Sequence, residues 1–311
     1  MRRAIVGAIA SGVRDFRYMP DTHGITASAA DEFGDEANFV AVETTQTAST
    51  LDTIRAAQAL QAEGCGAVIT LGGDGTNRAF ALGWRDATVV PVSTGTNNVF
   101  PTMVEATVAG SAAGLVATGQ VPREAVARQV KAVHVEIEGE RDDLALVDAV
   151  LAADRFVGSR AIWGGERLRE AVLTRAEPSA VGITSIGGLL EPLTPDEDEA
   201  LHLKLGPGEG GVSVLAPIAP GLYEPIAVRM HERLALGETI SLKGPGVLAF
   251  DGERERVLKP GQAATLRVAR DGPWVVDVHA ALEYAACAGL YRDEALPGDS
   301  PEEQKLQQDG G

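Results

Sequence analysis

The sequence predicts an α/β fold, with an N-terminal doubly wound, parallel-sheet domain followed by a C-terminal all-β, sandwich-like domain. Up to about residue 122, short apolar runs alternate with segments of helical periodicity, which is typical of a parallel sheet covered on both faces. Beyond that point, period-two segments separated by turn residues dominate, as expected for antiparallel strands. Hydrophobic residues make up 45% of the 311-residue chain, which is enough to form a core in each domain.

The N-terminal domain, residues 1–122, carries alternating strand and helix signals. Ser49, with Asp52 three residues later, resembles a capping box that opens a helix, and Gly64 ends that helix. Continuous apolar runs predict strands over residues 4–10, 38–43, 67–71 and 88–92. Further helices are predicted over residues 76–84 and 98–118, and residues 12–38 are predicted to be irregular.

The C-terminal domain, residues 123–279, is predicted mainly from alternation of apolar and polar residues, as at Val133, Val135 and Ile137. The predicted strands begin at residue 133 and cover residues 133–138, 144–152, 180–186, 201–205, 211–217, 226–229, 247–250, 264–268 and 274–278. One helix is expected over residues 159–175. A final helix, residues 280–292, is expected to pack back on the first domain, and residues 293–311 are expected to form a disordered tail.

Composition excludes several classes of function. The formal net charge of −17 disfavours binding to nucleic acid or to an anionic membrane. Two cysteines are too few for a disulfide framework, and the five histidines lack metal-ligand spacing, so no protein-built metal site is predicted. The sequence has no signal-peptide pattern and no apolar run of the ~20 residues that a membrane span needs, so a cytoplasmic protein is expected.

Two glycine-containing segments carry the functional signal. The first, Leu71-Gly72-Gly73-Asp74-Gly75-Thr76, follows an apolar strand, and the second, Ser93-Thr94-Gly95-Thr96-Asn97-Asn98, follows the next strand. Glycines let backbone N–H groups approach a polyanion closely, and the ends of parallel strands are the usual ligand-binding edge of such a sheet. An aspartate among these glycines repels phosphate, which favours a role as a base or a magnesium partner over phosphate attraction.

This pair of motifs resembles the superfamily of NAD kinases and of diacylglycerol and sphingosine kinases. The stretch from Ser93 to Pro101 looks most like the acetoin-catabolism protein X branch of that superfamily. The resemblance covers roughly residues 67–101 and implies an ATP-dependent phosphotransferase that uses Mg²⁺, with Asp74 as the catalytic residue near the attacking hydroxyl. It makes NAD the leading acceptor, which implies a part in NADP biosynthesis.

The resemblance also assigns the nucleotide-binding residues. They come from both glycine segments, namely Gly72, Gly73, Gly75, Thr76, Asn77, Thr94, Gly95, Thr96, Asn97 and Asn98. Simpler structural interpretations stay open for some of them: Asp74 as an ordinary turn aspartate, and Asn77, Asn97 or Asn98 as helix N-caps.

Two further segments are candidates for substrate binding. The run Leu146-Val147-Asp148-Ala149-Val150 stands where NAD kinases carry a Leu-Asn-Glu segment that grips the dinucleotide. We align Asp148 with the Asn and Ala149 with the Glu of that segment, so the loss of the carboxylate weakens the case for NAD as acceptor. Asp251 and Glu253 lie in an Asp-Gly-Glu segment similar to a turn of the family's β domain, where a plain hairpin turn is the alternative.

Three functional hypotheses follow. The first is a kinase whose partners are a nucleotide and NAD. The second is a non-catalytic, nucleotide-binding regulatory protein, favoured by the altered segment at Asp148 and by the scarcity of cations near the glycine loops, where Arg78 is the nearest. The third is a kinase for another small hydroxyl compound, such as a polyol or ketol linked to acetoin-type catabolism. The phosphoryl donor (ATP or polyphosphate) and the oligomeric state, with a homo-oligomer among the options, stay open.

Overall fold

The computed structural model describes residues 1–153, 167–209 and 211–292. Over these residues the chain forms an α/β domain with parallel strands and a second domain of two antiparallel sheets, so the predicted fold class is confirmed. The expected tail over residues 293–311 lies outside the described residues, and so do residues 159–166 of the helix predicted over residues 159–175.

The first domain contains two small sheets. Strands β1 (Asp15–Tyr18) and β2 (Asn38–Ala41) pair in parallel and form one sheet. The second sheet has the order β3-β4-β17-β5, with β3 at Val68–Gly72, β4 at Thr88–Ser93, β17 at Trp274–Val276 and β5 at Ala127–Gln129. Strands β3, β4 and β17 are parallel, and β5 is antiparallel to β17.

Helices cover these sheets. They are α1 (Arg2–Ala10), α2 (Ile25–Asp31), α3 (Thr50–Ala62), α4 (Asp74–Gly83), α5 (Ala106–Ala117), α6 (Arg123–Val126) and, near the end of the described chain, α8 (Val278–Cys287). Ala281 and Ala285 of α8 are buried in the same apolar cluster as α5, so this last helix packs on the first domain. Ser49 caps α3 by accepting a hydrogen bond from the Leu51 N–H.

The second domain is a sandwich of two antiparallel sheets. The larger sheet has the order β11-β12-β10-β9-β8-β14-β15, and the smaller has the order β13-β16-β6-β7. The bounds of these strands are β6 Ala132–Ile137, β7 Asp143–Ala145, β8 Asp148–Ala152, β9 Leu168–Leu173, β10 Glu199–Leu205, β11 Val212–Ala219, β12 Leu222–Ala235, β13 Thr239–Lys243, β14 Gly246–Phe250, β15 Glu253–Leu258 and β16 Ala263–Ala269. Apolar side chains from the facing sides of both sheets, such as Val135, Leu151 and Leu266, share one buried cluster between them.

The first element differs from its prediction. Residues 4–10 are part of helix α1, not a strand. Ala4, Ile5 and Ala8 recur at helical spacing and are buried, and α1 packs tightly against α5. A Cβ added at Gly7 would lie 1.9 Å from the carbonyl oxygen of Thr107, so glycine is required for this close contact.

Other predicted elements are also corrected. Residues 98–105 are not helical: the Thr102 N–H donates to the Pro91 carbonyl, and α5 begins only after Glu105, which accepts from the Thr107 N–H. Within residues 12–38, predicted to be irregular, β1 and α2 form. The segment 168–173, predicted as helix, is strand β9 because pairing with β8 and β10 buries its apolar residues.

In the C-terminal half, three strand predictions were wrong in detail. Residues 183–188 form helix α7 (Ile183–Gly188), although a strand was predicted there. The strand predicted over residues 144–152 is broken between β7 and β8. Strand β17, predicted within the β domain, instead joins the parallel sheet of the first domain beside β4.

Candidate active site

Both glycine segments lie at the carboxyl ends of adjacent parallel strands, since Gly72 ends β3 and Ser93 ends β4. Asp74 is the first residue of α4, and its carboxylate reaches across to the second segment. One oxygen accepts hydrogen bonds from the Val99 N–H at 3.0 Å and the Phe100 N–H at 2.7 Å, and the other accepts from Val99 at 3.1 Å. Asp74 therefore fixes the two loops relative to each other.

Asp74 is also partly desolvated. Burial raises the pKa of its carboxyl, although the hydrogen bonds from Phe100 and Val99 and the nearby charge of Arg175 act in the opposite direction. A carboxylate with a raised pKa at the edge where parallel strands end is suited to accept a proton. The turn interpretation of Asp74 is thus incomplete, because its partners lie on a distant loop and not in its own turn.

The glycines of the first segment permit close contacts with side chains. A Cβ at Gly73 would lie 2.7 Å from Asn98 Oδ1, and a Cβ at Gly75 would lie 3.0 Å from Glu253 Oε1. Glu253, at the start of β15, therefore stands directly over the glycine turn. Both contacts involve the ends of side chains and not the backbone.

The second segment is held by internal hydrogen bonds and is otherwise exposed. Asn98 Nδ2 donates to Ser93 Oγ at 2.7 Å, and Ser93 Oγ donates to the Gly95 carbonyl at 2.6 Å. The segment Thr94 to Asn97 is exposed to solvent at the loop tip. Neither Asn97 nor Asn98 caps a helix, since α5 begins eight residues after Asn98, so the N-cap alternative is wrong for both.

Two candidate residues of the first segment have internal roles. Asn77 is 3% exposed, accepts from the Thr70 hydroxyl at 2.6 Å and donates to the Gly73 carbonyl at 2.9 Å. The Asn77 side chain therefore braces the strand-to-helix turn, which favours a structural role over nucleotide contact. Thr76 lies against Gly72, where an added Cβ would come within 2.5 Å of the Thr76 hydroxyl.

Asp251 organises the substrate-side segment. Its Oδ1 accepts from the N–H groups of Leu146, Val147 and Asp148, at 3.1, 2.7 and 3.1 Å. Asp251 and Gly252 both have positive φ, 49° and 80°, as a tight hairpin turn requires. Burial raises the pKa of Asp251 to about 6, even though these N–H donors oppose the shift. The Asp251 carboxylate is occupied within the protein, which favours positioning of residues 146–148 over direct substrate contact.

Asp148 is the least satisfied carboxyl of the site. It is buried, and its Oδ1 has no hydrogen-bond partner. Burial raises the pKa of Asp148 well above its usual value, and the negative charges of Asp251 and Asp74 add to that shift. A buried, unpaired carboxyl oxygen is costly, so a ligand hydroxyl that donates to it would gain from its desolvated state.

Ala149 does not lie in the site. It is 0% exposed and packs in the cluster between the two sheets of the sandwich, because successive strand residues face opposite sides. Ala149, which we aligned with the family's Glu, therefore faces the core, and of this pair only Asp148 lies beside the other carboxylates.

The site also contains a cation that sequence analysis missed. Arg175, after β9, has its guanidinium 5.7 Å from the centre of the Phe100 ring, and its charge acts on Asp74 and Asp251. Its Nε has no hydrogen-bond partner, although it is nearly buried. In the sequence Arg175 ended a predicted helix and belonged to no motif, so no local signal marked it.

Arg78, the cation nearest to the glycine segments in the sequence, binds residues of the second domain. It is 3% exposed, donates to Asp143 Oδ1 at 2.6 Å and to the Leu144 carbonyl at 2.7 Å, and pairs with Glu255. Because α4 belongs to the first domain and the three partners belong to the second, Arg78 joins the domains.

The described residues contain no cluster of three or more His, Cys, Asp or Glu side chains arranged to hold a metal ion. Within the same ranges, no helix combines the length and apolar character that crossing a bilayer requires.

Comparisons with known proteins agree with this architecture. The model of the ATP-NAD kinase N-terminal domain matches residues 13–121, and that of the acetoin catabolism protein X C-terminal domain matches residues 131–271. The chain resembles yeast NADH kinase in complex with NADH with a TM-score of 0.51 and 14% identity, over 96% of this chain and 86% of that one, which shows a shared fold.

A curated relative extends the match along nearly the whole sequence. Acetoin catabolism protein X of Cupriavidus necator (strain H16) is 37% identical over 310 residues, which cover 94% of this chain and 86% of the relative. On this similarity, and on a fold that joins the two glycine loops to a β sandwich, the chain belongs to the acetoin catabolism protein X family of the NAD kinase-like superfamily.

Proposed function

We propose that this protein is an ATP-dependent phosphotransferase that transfers a phosphoryl group to a hydroxyl of a small molecule. The observation that carries the proposal is the placement of Asp74, whose partly desolvated carboxylate joins the two glycine loops at the ligand-binding edge of the sheet. In this role Asp74 accepts the proton of the attacking hydroxyl, and the loop N–H groups hold the phosphates.

The acceptor is proposed to bind on the side of Asp148. This residue offers an unpaired, buried carboxyl oxygen, and Asp251 holds its backbone in place. A hydroxyl that donates to Asp148 satisfies an atom that would otherwise stay unpaired, which gives the site selectivity for hydroxyl-bearing compounds. Both NAD and a small polyol or ketol meet this requirement, and the relative's name, with its reference to acetoin catabolism, favours testing ketols alongside NAD.

The charges of the site bear on how the phosphates of a nucleotide and a metal ion would bind there. Asp74, Asp251 and Glu253 bring carboxyl groups to the site, the pKa of Asp148 is raised well above its usual value, and Arg175 is the cation that acts on Asp74. Since the described residues contain no group of three or more His, Cys, Asp or Glu side chains that could hold a metal ion, Mg²⁺ would be held chiefly by the nucleotide phosphates and water. When bound, Mg²⁺ supplies compensation for the charge of the transferring phosphoryl group.

A second candidate is a regulatory protein that binds a nucleotide without turnover. It is favoured by the engagement of both Asp74 oxygens with the loop N–H groups. A coupled ADP-release assay with ATP and Mg²⁺, run across NAD, NADH, polyols and ketols, tests the choice. Acceptor-dependent ADP release that is lost in Asp74→Asn supports the kinase. Calorimetric ATP binding with no release for any acceptor supports the regulatory protein.

A further inference from the structure

Two buried side-chain atoms at the candidate active site lack a hydrogen-bond partner, and they differ in chemistry. Asp148 is 6% exposed and its Oδ1 is unpaired, and Arg175 is 9% exposed and its Nε is unpaired. A guanidinium N–H can only donate a hydrogen bond, whereas a carboxyl oxygen can accept one. Because an unpaired polar group is costly when it is buried, a ligand that pairs with both atoms gains affinity from both.

The strand register brings these two residues close together. Asp148 pairs with Leu173 across strands β8 and β9, and Arg175 follows Leu173 by two residues. The residue between them continues the pairing, since the Thr174 N–H donates to the Val147 carbonyl at 2.9 Å. Residues 148 and 175 are therefore diagonal neighbours, which in an antiparallel pair lie about 7–8 Å apart, a separation that one small ligand can bridge.

Both residues also lie beside Asp74, the proposed base. The charge of Asp74 contributes to the raised pKa of Asp148, after burial and the charge of Asp251. The charge of Arg175 acts in the opposite direction on the pKa of Asp74. A ligand that contacts Asp148 and Arg175 is thus held next to the carboxylate that the proposed function assigns to proton transfer.

Arg175 lacks a hydrogen-bond acceptor more than it lacks a counter-charge. Burial lowers the pKa of its guanidinium, but the negative charges of Glu177, Asp74 and Asp251 all oppose that shift. Its hydrogen bonds are poor by comparison: Nη1 is 3.4 Å from the Val99 carbonyl oxygen and 3.7 Å from Glu177 Oε1, and Nε has no partner. The group that completes this site is an uncharged oxygen that accepts a hydrogen bond.

We propose that the acceptor site recognises an α-hydroxy ketone, whose hydroxyl donates to Asp148 Oδ1 and whose carbonyl oxygen accepts from Arg175 Nε. A carbonyl brings no proton that needs a further partner in a buried site, whereas a second hydroxyl does. A carboxylate would accept as well, but it would be repelled by Asp74 and Asp251. The inference rests on the proposed function for the place of the acceptor beside Asp148, and it makes Arg175 a residue that determines specificity.

The first test compares ligands on the unaltered, full chain. The probes share a three-carbon skeleton: hydroxyacetone has a hydroxyl and a ketone, propane-1,2-diol two hydroxyls, acetone a ketone alone, and lactate a hydroxyl and a carboxylate. Binding is titrated by saturation-transfer NMR, with and without a non-hydrolysable ATP analogue. We expect hydroxyacetone to bind about tenfold or more tightly than each of the others, because the others leave a buried group unpaired or add a negative charge.

Three results of this comparison overturn the proposal. They are equal affinity for hydroxyacetone and propane-1,2-diol, tighter binding of lactate than of hydroxyacetone, and no binding of hydroxyacetone under either condition.

The second test changes the protein. Arg175→Met removes the guanidinium and keeps a long side chain. Arg169→Met is the matched control, since Arg169 lies on the same strand, β9, and donates to the Pro245 carbonyl. We expect Arg175→Met to reduce the preference for hydroxyacetone over propane-1,2-diol to about twofold or less, while Arg169→Met keeps it. Circular dichroism checks the fold of both variants.

The same variants show whether Arg175 serves the nucleotide instead. If Arg175→Met lost affinity for the ATP analogue and kept the preference for hydroxyacetone, Arg175 would contact phosphate and the proposal would be wrong.

ADP release with the same probes separates this inference from the proposed function. Preferential binding of hydroxyacetone without ADP release from ATP supports the inference and rejects the kinase. ADP release with an acceptor that has no carbonyl, together with no preference for hydroxyacetone in binding, rejects the inference and supports the kinase.

Discussion

Asp148 and Asp251 are joined by two hydrogen bonds, each donated by the backbone N–H of one residue to the other residue. The N–H of Asp148 donates to the Asp251 carboxylate at 3.1 Å, and the N–H of Asp251 donates to the Asp148 carbonyl at 3.0 Å. This arrangement brings two buried carboxyl groups from β8 and the hairpin after β14 beside each other. Burial raises the pKa of both carboxyl groups, and the charge of Asp251 raises that of Asp148 further, so the stability of the protein depends on pH.

We expect the stability of the protein to fall as pH rises above 4, through the contribution of these two groups. Their pKa in the unfolded chain is close to 3.8, whereas burial raises the pKa of Asp251 to about 6 and that of Asp148 well above 3.8. Between these values the folded state binds more protons than the unfolded state. The stabilisation is therefore complete below the unfolded pKa and is lost as pH rises through the folded pKa.

The substitution Asp148→Asn measures how much of this pH dependence of stability comes from Asp148. Urea unfolding at pH 5 and pH 8 should show a smaller loss of stability with rising pH in this variant than in the wild type, because burial raises the pKa of the Asp148 carboxyl and the amide does not titrate. Asp142→Asn, which removes an exposed carboxylate six residues away, is the control and should keep the wild-type difference. An identical pH dependence in Asp148→Asn would contradict the assignment.

Ala149→Glu is expected to destabilise the protein and not to improve NAD binding. Ala149 packs in the apolar cluster between the sheets, so a glutamate there would bury a charge without a partner and overfill the core. Thermal unfolding should show a loss of at least several degrees, or an unfolded product. A folded variant with higher NAD affinity would place residue 149 in the site after all.

Asp74→Asn should lower turnover by roughly 10² or more while the protein stays folded, because a positioned base contributes about 10²–10⁴ in rate. The amide oxygen of Asn can still accept from the Phe100 N–H, which preserves the link between the loops. Turnover is measured by ADP release with the best acceptor, and circular dichroism checks the fold. Wild-type turnover in this variant would exclude Asp74 as the base.

Gly75→Val should weaken ATP binding, measured by calorimetry. A Cβ at residue 75 would lie 3.0 Å from Glu253 Oε1, so the valine side chain would contact Glu253 above the glycine turn. The double variant Gly75→Val with Glu253→Ala separates two causes. If the glycine is needed for phosphate approach, affinity stays low in the double variant. Recovery of affinity would instead show that contact with Glu253 was the whole effect, and unchanged affinity in Gly75→Val would remove the turn from the phosphate site.

Arg78→Ala should cost about 1–3 kcal/mol of stability, because it removes the donor to the buried Asp143 Oδ1 and to the Leu144 carbonyl, while Arg256 still pairs with Asp143 Oδ2. Arg85→Ala is the matched control, since its pair with Asp271 spans 3.8 Å and is largely exposed. That pair should contribute only about 0–1 kcal/mol. Equal losses for the two variants in urea unfolding would show that Arg78 does not join the domains.

The local sequence was sufficient where one segment carries its own signal. The continuous apolar run of β3 and the glycine turn after it predicted the strand, the helix start and Asp74, because strand period and turn chemistry are local properties. The cap of α3 at Ser49 was predictable for the same reason. By contrast, residues 4–10 were apolar enough for either a strand or a helix, and packing against α5 selected the helix.

What the sequence determined by itself is the fold class, the two glycine loops at neighbouring strand ends and the candidate base. The tertiary structure decided the rest of the site, since it depends on contacts between residues far apart in the chain. Arg175 reaches Phe100, Asp251 binds the N–H groups of residues 146–148, and strand pairing turns Asp148 toward the carboxylates and Ala149 toward the core. Such contacts are selected by burial and register across the whole domain, which no local pattern encodes.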